Sequence, residues 1–161
     1  LHKEYRRQRQ MCIRDREKKH GFKYASLKRV LTESDFISIH VPLTSETHHF
    51  IGAKQLKMMK PSAILVNLAR GAVVDTEALY EALLKGQIAG AGLDVFDPEP
   101  VPPEHPILGL DNVVVLPHIG SASNQSRREM HLLAARNLVA GLQGNRMEEC
   151  ANPTVYDSLG I

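Results

Sequence analysis

Cysteine is scarce: Cys12 and Cys150 are the two in 161 residues. They lie far apart, with no metal-ligand partner at a useful spacing. That excludes a disulfide scaffold and fits free thiols in a reducing compartment. No apolar run is long enough to cross a membrane, and the N-terminus lacks the apolar core of a signal peptide. The cytosol is the expected compartment. No segment repeats, and nothing is of low complexity beyond a basic start. The turn Gly-x-Gly-x-x-Gly is missing as well; Gly21 is the one glycine before Gly52. His2, His20, His40, His48, His49, His105 and His131 have no ligand spacing with a carboxylate or cysteine, so no metal is expected. No strained nucleophile turn is visible, which removes Ser–His–Asp and Cys–His chemistry.

What is present suits one domain of ordinary size with a real core. The formal net charge of +2 is too small to argue for nucleic acid. The charge is uneven. Residues 1–29 carry eleven Lys or Arg against three acidic residues, a balance of +8, and the remainder carries −6. Basic arms of this kind are most often solvated tails. The chain opens on Leu1 rather than Met, read here as a truncated start. Residues 11–16 (MCIRDR) look like translated adapter sequence. Residues 1–20 are therefore expected to be a tail without pattern, disordered or non-native.

Beyond the tail the chain alternates. Leu27, Val30 and Leu31 have helical spacing, and Ser34-Asp35 closes that helix. Residues 36–41 (FISIHV) alternate and are β-branched, as a strand requires, and Pro42 ends them. Residues 43–47 form a polar loop and 52–59 a short helix, stopped by Pro61. Residues 63–66 read as a buried strand, followed by Arg70, the turn-former Gly71, and Asp75-Thr76, which can cap a helix from Glu77 to about Lys85. Residues 88–95 (IAGAGLDV) are the next strand, with small residues where backbones approach closely. Residues 97–106, rich in proline, are a loop, and 112–116 a buried apolar strand. Ser123 or Asn124 caps a long helix to about Leu142, with Met130, Leu133, Ala134, Leu138 and Leu142 near one face. The tail from 145 to 161 is irregular. This order predicts an α/β fold: a partial, doubly wound parallel sheet, Rossmann-like, lacking its first strand and glycine-rich turn. The predicted domain spans 21–148, with 149–161 as a C-terminal tail.

In open α/β sheets, ligands bind beyond the carboxyl ends of the strands. Arg70, Asp94, Glu99 and His118 all follow strands. Taken singly, each is more often a cap, a solvated charge or a surface ion pair. Together, Arg70, Glu99 and His118 would converge on one crevice with complementary chemistry. An arginine fork binds a carboxylate through two parallel hydrogen bonds. A histidine exchanges protons near neutral pH, and a carboxylate bonded to it fixes its ring. Such a trio suits reduction of a carbonyl beside a carboxylate.

The text SDFISIHVPLTSET (34–47), MKPSAILVNLARGAVVD (59–75), GQIAGAGLDVFDPEP (86–100), His105-Pro106 and NVVVLPHIGSAS (112–123) resembles the D-isomer-specific 2-hydroxyacid dehydrogenases, especially the glyoxylate/hydroxypyruvate reductase branch. The resemblance runs from about Phe22 to Val155. It implies an oxidoreductase moving hydride between NAD or NADP and a small 2-oxo acid. Arg70 then binds the substrate carboxylate, His118 protonates the carbonyl oxygen, and Glu99 partners His118. Pro42, Leu68, Ala69 and Gly120 line the dinucleotide together with Arg70 and His118, and Asp94 fixes the nicotinamide carboxamide. It implies a homodimer when full length, with no nucleic acid or membrane partner. The family's separate substrate domain, the glycine turn and the strand whose end chooses between NAD and NADP are not found in this sequence. The isolated chain is therefore expected to bind cofactor weakly and to turn over nothing. Two other readings stay open: a dinucleotide-sensing corepressor-like binding module, and a gene fragment without activity of its own.

Overall fold

The computed structural model describes residues 16–17 and 19–160. Cys12 and most of the adapter-like hexapeptide lie outside the described residues. Arg16, Glu17, Lys19 and His20 are helical, where no pattern was expected. The chain divides into two compact units, residues 1–117 and 118–161.

The first unit is built on a sheet. In chain order it contains α1 (Leu27–Glu33), β1 (Phe36–Ile39), α2 (Ala53–Leu56), β2 (Ile64–Asn67), a 3-10 turn (Gly71–Val73), α3 (Thr76–Leu84), β3 (Gly90–Leu93), a second 3-10 turn (Pro106–Gly109) and β4 (Val113–Val115). The four strands are parallel and lie in the order β1-β2-β3-β4. A sequential order of this kind is one half of a doubly wound sheet. The register sets Ile39 beside Asn67, Asn67 beside Leu93, and Leu93 beside Val115. All four strands therefore stop level, and the loops that follow leave from one edge.

Local chemistry explains the boundaries. Ser26 caps α1, its hydroxyl accepting from Arg29 N at 3.3 Å. Asp75 caps α3, its carboxylate accepting from Ala78 N at 3.0 Å. Gly86 ends that helix at φ 63°, a left-handed turn that costs glycine nothing. The strands are shorter than their apolar runs. β1 ends at Ile39 instead of residue 41, and β3 covers 90–93 instead of 88–95. Pairing, not apolarity, decides where a strand stops. The core gathers Leu31, Ile37, Ile39, Leu56, Leu65, Leu79, Leu83, Ile88, Leu93 and Ile107. Each such side chain contributes about 1.5–3 kcal/mol by leaving water.

A further expectation for this unit fails. β4 is not buried: Val114 is 64% exposed and Val115 37%. It is an edge strand with a single neighbour, and among its residues only Val113 packs against the core.

The second unit centres on α4 (Asn124–Leu142). Ser123 is its cap, accepting from Ser126 N at 3.1 Å. The returning chain is pinned to this helix. Arg136 Nε donates to Glu148 Oε2 at 2.8 Å, and Asn137 exchanges bonds with the Glu149 backbone. The tail expected to be irregular forms a short helix, α5 (Val155–Leu159). Tyr156 is buried, its hydroxyl accepts from Met147 N at 2.9 Å, and Arg146 lies over its ring. The apolar stripe on α4 is uncovered: Met130, Leu138 and Leu142 are exposed, and α4 has no buried residue. A sequence pattern shows which face seeks cover, not whether cover is there.

Candidate functional site

The level edge of the sheet opens onto a crevice of about 510 Å³, lined by His40, Val41, Pro42, Leu43, Leu68, Ala69 and Arg70. Four residues singled out from the sequence (Pro42, Leu68, Ala69 and Arg70) share its walls. His40, Val41 and Leu43 were not singled out; their signal was adjacency to Pro42.

Two short networks shape these walls. Thr47 Oγ1 donates to the Pro42 carbonyl at 2.6 Å and accepts from Thr44 N at 2.7 Å, folding the loop after β1 onto itself. At the end of β2, Asn67 is buried to 1% exposure. Its Nδ2 donates to the Arg70 carbonyl at 3.0 Å, and its Oδ1 accepts from Ala69 N at 3.1 Å. Both ends of one buried amide thus hold the turn 68–70. From sequence, Asn67 reads only as the residue that ends a strand. Arg70 itself is extended (φ −146°) and exposed. Its Nη1 donates to the Ala69 carbonyl at 2.7 Å, and the planar head retains further N–H donors suited to a carboxylate.

The other expected site residues are placed as follows. Asp94 follows β3 directly, is 2% exposed, and its amide donates to the Asn67 carbonyl at 3.1 Å. Among the described residues no buried side-chain nitrogen or oxygen lacks a hydrogen-bond partner. Glu99 is exposed in the loop beyond β3, outside the crevice walls, and its Oε2 is 3.5 Å from Phe96 N. His118 and Gly120 open the second unit, both exposed. His118 has φ 54°, a left-handed conformation uncommon outside glycine and of the kind found at functional turns. A further grouping falls elsewhere: one donor atom each from His48, His49 and Asp97 lie within 4.8 Å of one another. Among the described residues no helix is long and apolar enough to cross a membrane.

A parallel sheet with a crevice at its carboxyl edge defines an open α/β ligand-binding domain. Comparison with known proteins makes the class specific. The model for the NAD binding domain of D-isomer specific 2-hydroxyacid dehydrogenases matches residues 2–120, and the chain belongs to this family. It is 55% identical over 139 residues to a glyoxylate/hydroxypyruvate reductase B from Pectobacterium carotovorum, an alignment covering 86% of this chain and 43% of that protein. The crystal structure of a protein from Thermus thermophilus superposes with a TM-score of 0.76 at 51% identity, covering 80% of this chain and 41% of that one. An NADPH-dependent glyoxylate/hydroxypyruvate reductase from Sinorhizobium meliloti, in complex with NADP and malonate, superposes with a TM-score of 0.75 at 38% identity, covering 83% and 42%. The chain thus spans a little over two-fifths of the length of these relatives.

Proposed function

We propose that this chain is the part of an NAD(P)H-dependent reductase that faces the nicotinamide, in an enzyme acting on a small 2-oxo acid such as glyoxylate or hydroxypyruvate. The observation that carries this reading is the crevice at the level strand edge, with Arg70 in its wall beside Pro42, Leu68 and Ala69. The residues present fit the nicotinamide end of a dinucleotide. Short apolar walls can hold a flat ring there, and the buried carboxylate of Asp94 stands at the next strand end. A Gly-x-Gly-x-x-Gly turn, the usual cradle for the phosphates, is not among these 161 residues. When bound, the reduced nicotinamide supplies the hydride.

The protein's own groups do the rest. Arg70 binds the substrate carboxylate through its fork and so aims the neighbouring carbonyl. His118 gives its proton to the carbonyl oxygen, and Glu99 orients the ring. Gly120 contributes backbone to the cofactor surface. The full-length protein is proposed to be a cytoplasmic homodimer.

The test is His118→Gln in the complete enzyme. Turnover is expected to fall by about 100-fold or more while nicotinamide cofactor still binds, as for loss of a general acid. Turnover that survives the change removes His118 from the acid role. The 161-residue chain alone should reduce no glyoxylate; saturable reduction by it would show that the phosphate cradle is dispensable.

A further inference from the structure

His48 and His49 follow β1, and Asp97 follows β3, so no spacing along the chain joins them. The fold does. One ring nitrogen of each histidine and a carboxylate oxygen of Asp97 lie within 4.8 Å of one another, and all three side chains are exposed. The two imidazoles are stacked, with centroids 4.0 Å apart and planes at 23°.

The backbone beneath these groups is fixed on each side. His49 has φ 50°, in the left-handed region, and its amide donates to the Ala72 carbonyl at 2.8 Å. Two positions on, Ile51 N donates to the Val73 carbonyl at 3.1 Å. Gly71 in turn lies so close to Phe96 that a Cβ there would be 1.8 Å from the Phe96 carbonyl oxygen. The segments bearing His49 and Asp97 are therefore both locked onto the turn 71–73. Asp75 adds a carboxylate behind the pair, its Oδ2 4.0 Å from His49 Nδ1. A carboxylate behind a ligating imidazole orients the ring.

We infer that His48, His49 and Asp97 form a binding site for one divalent transition-metal ion of the zinc class. Two imidazoles and a carboxylate suit zinc, and an exposed position leaves room for a water as fourth ligand. Zinc bonds of about 2.0–2.2 Å place donor atoms roughly 3.3–3.5 Å apart in a tetrahedron. An ion lies in the plane of each imidazole that ligates it, so binding would turn the two rings out of their stack, a rotation that their exposure leaves room for. The ion would tie the loop after β1 to the segment two residues before Glu99. The inference does not depend on the reductase reading.

The experiment uses the 161-residue chain, stripped with chelator and titrated with zinc chloride by calorimetry, then with cobalt(II) to read the visible d–d bands. One ion per chain is expected, with micromolar affinity and a cobalt spectrum of low coordination number. His48→Gln combined with His49→Asn removes both rings, and asparagine tolerates the left-handed backbone. This variant should lose about 100-fold or more in affinity, and Asp97→Asn about tenfold. No saturable zinc binding by the parent chain, or equal binding by the double variant, would overturn the inference; in the latter case the ion sits on other histidines or thiols.

Discussion

Gly71 and Phe96 touch backbone to backbone: a Cβ on Gly71 would stand 1.8 Å from the Phe96 carbonyl oxygen and 2.6 Å from Asp97 N. The turn that presents Arg70 is thus pressed onto the loop that carries Asp97 and Glu99. Glycine is required here by space.

Gly71→Ala should therefore destabilise the chain by about 3 kcal/mol, the upper end of the usual cost of overpacking. Urea unfolding measures it. Gly92→Ala is the control. A Cβ at Gly92 meets only Val66 methyl groups at 3.8 and 3.9 Å, so stability should stay level or rise by up to about 1 kcal/mol from reduced chain entropy. Equal losses at both positions would contradict the crowding argument.

Asn67→Ala should cost about 2–3 kcal/mol, because it strands the Ala69 amide and the Arg70 carbonyl beside a buried gap. Asn67→Asp keeps the acceptor and loses the donor, and it brings a charge to a buried position. It should be no better tolerated. Unfolding midpoints of the two variants decide the matter.

On the proposed function, Arg70→Lys in the complete enzyme should raise KM for the 2-oxo acid by about tenfold or more while cofactor affinity is kept. An ammonium cannot reproduce the two parallel bonds of the guanidinium. Steady-state kinetics with each substrate varied in turn separates the two effects. A change confined to cofactor affinity would move Arg70 from the substrate to the dinucleotide.

Leu65 and Leu142 are both leucines in regular structure, yet Leu65 is fully buried and Leu142 is 80% exposed. Leu65→Ala should cost about 2–5 kcal/mol. Leu142→Ala should fall within about 0.5 kcal/mol of the parent. Thermal unfolding of the two chains reads the contrast, and a large loss at Leu142 would mean that the stripe on α4 is covered in solution.

Much of the fold was legible because local signals agree. Asp75 and Ser123 cap where side-chain oxygens precede apolar periodicity, and the alternation of FISI gives β1 its buried Ile37 and Ile39. Cover was not legible. β4 and the α4 stripe are apolar and exposed because periodicity reports a face and not its partner. In the site, Pro42, Leu68, Ala69 and Arg70 came through as residues following strands, matched by resemblance. Asn67 did not, since an asparagine after a strand looks like punctuation until its amide is seen holding the next three residues. The grouping of His48 and His49 with Asp97 depends on tertiary contacts that no window of sequence contains.

The sequential strand order has a kinetic consequence. Each strand pairs with the one made just before it, joining Phe36 to Ile64, Ile64 to Gly90 and Ala91 to Val113. Partners are separated by 28, 26 and 22 residues, so each of these three pairings is made over a similar, short stretch of chain. Loop-closure entropy is met in similar small instalments. These four strands can therefore add one after another as they are made, and the walls of the crevice are in place once β1 and β2 have paired.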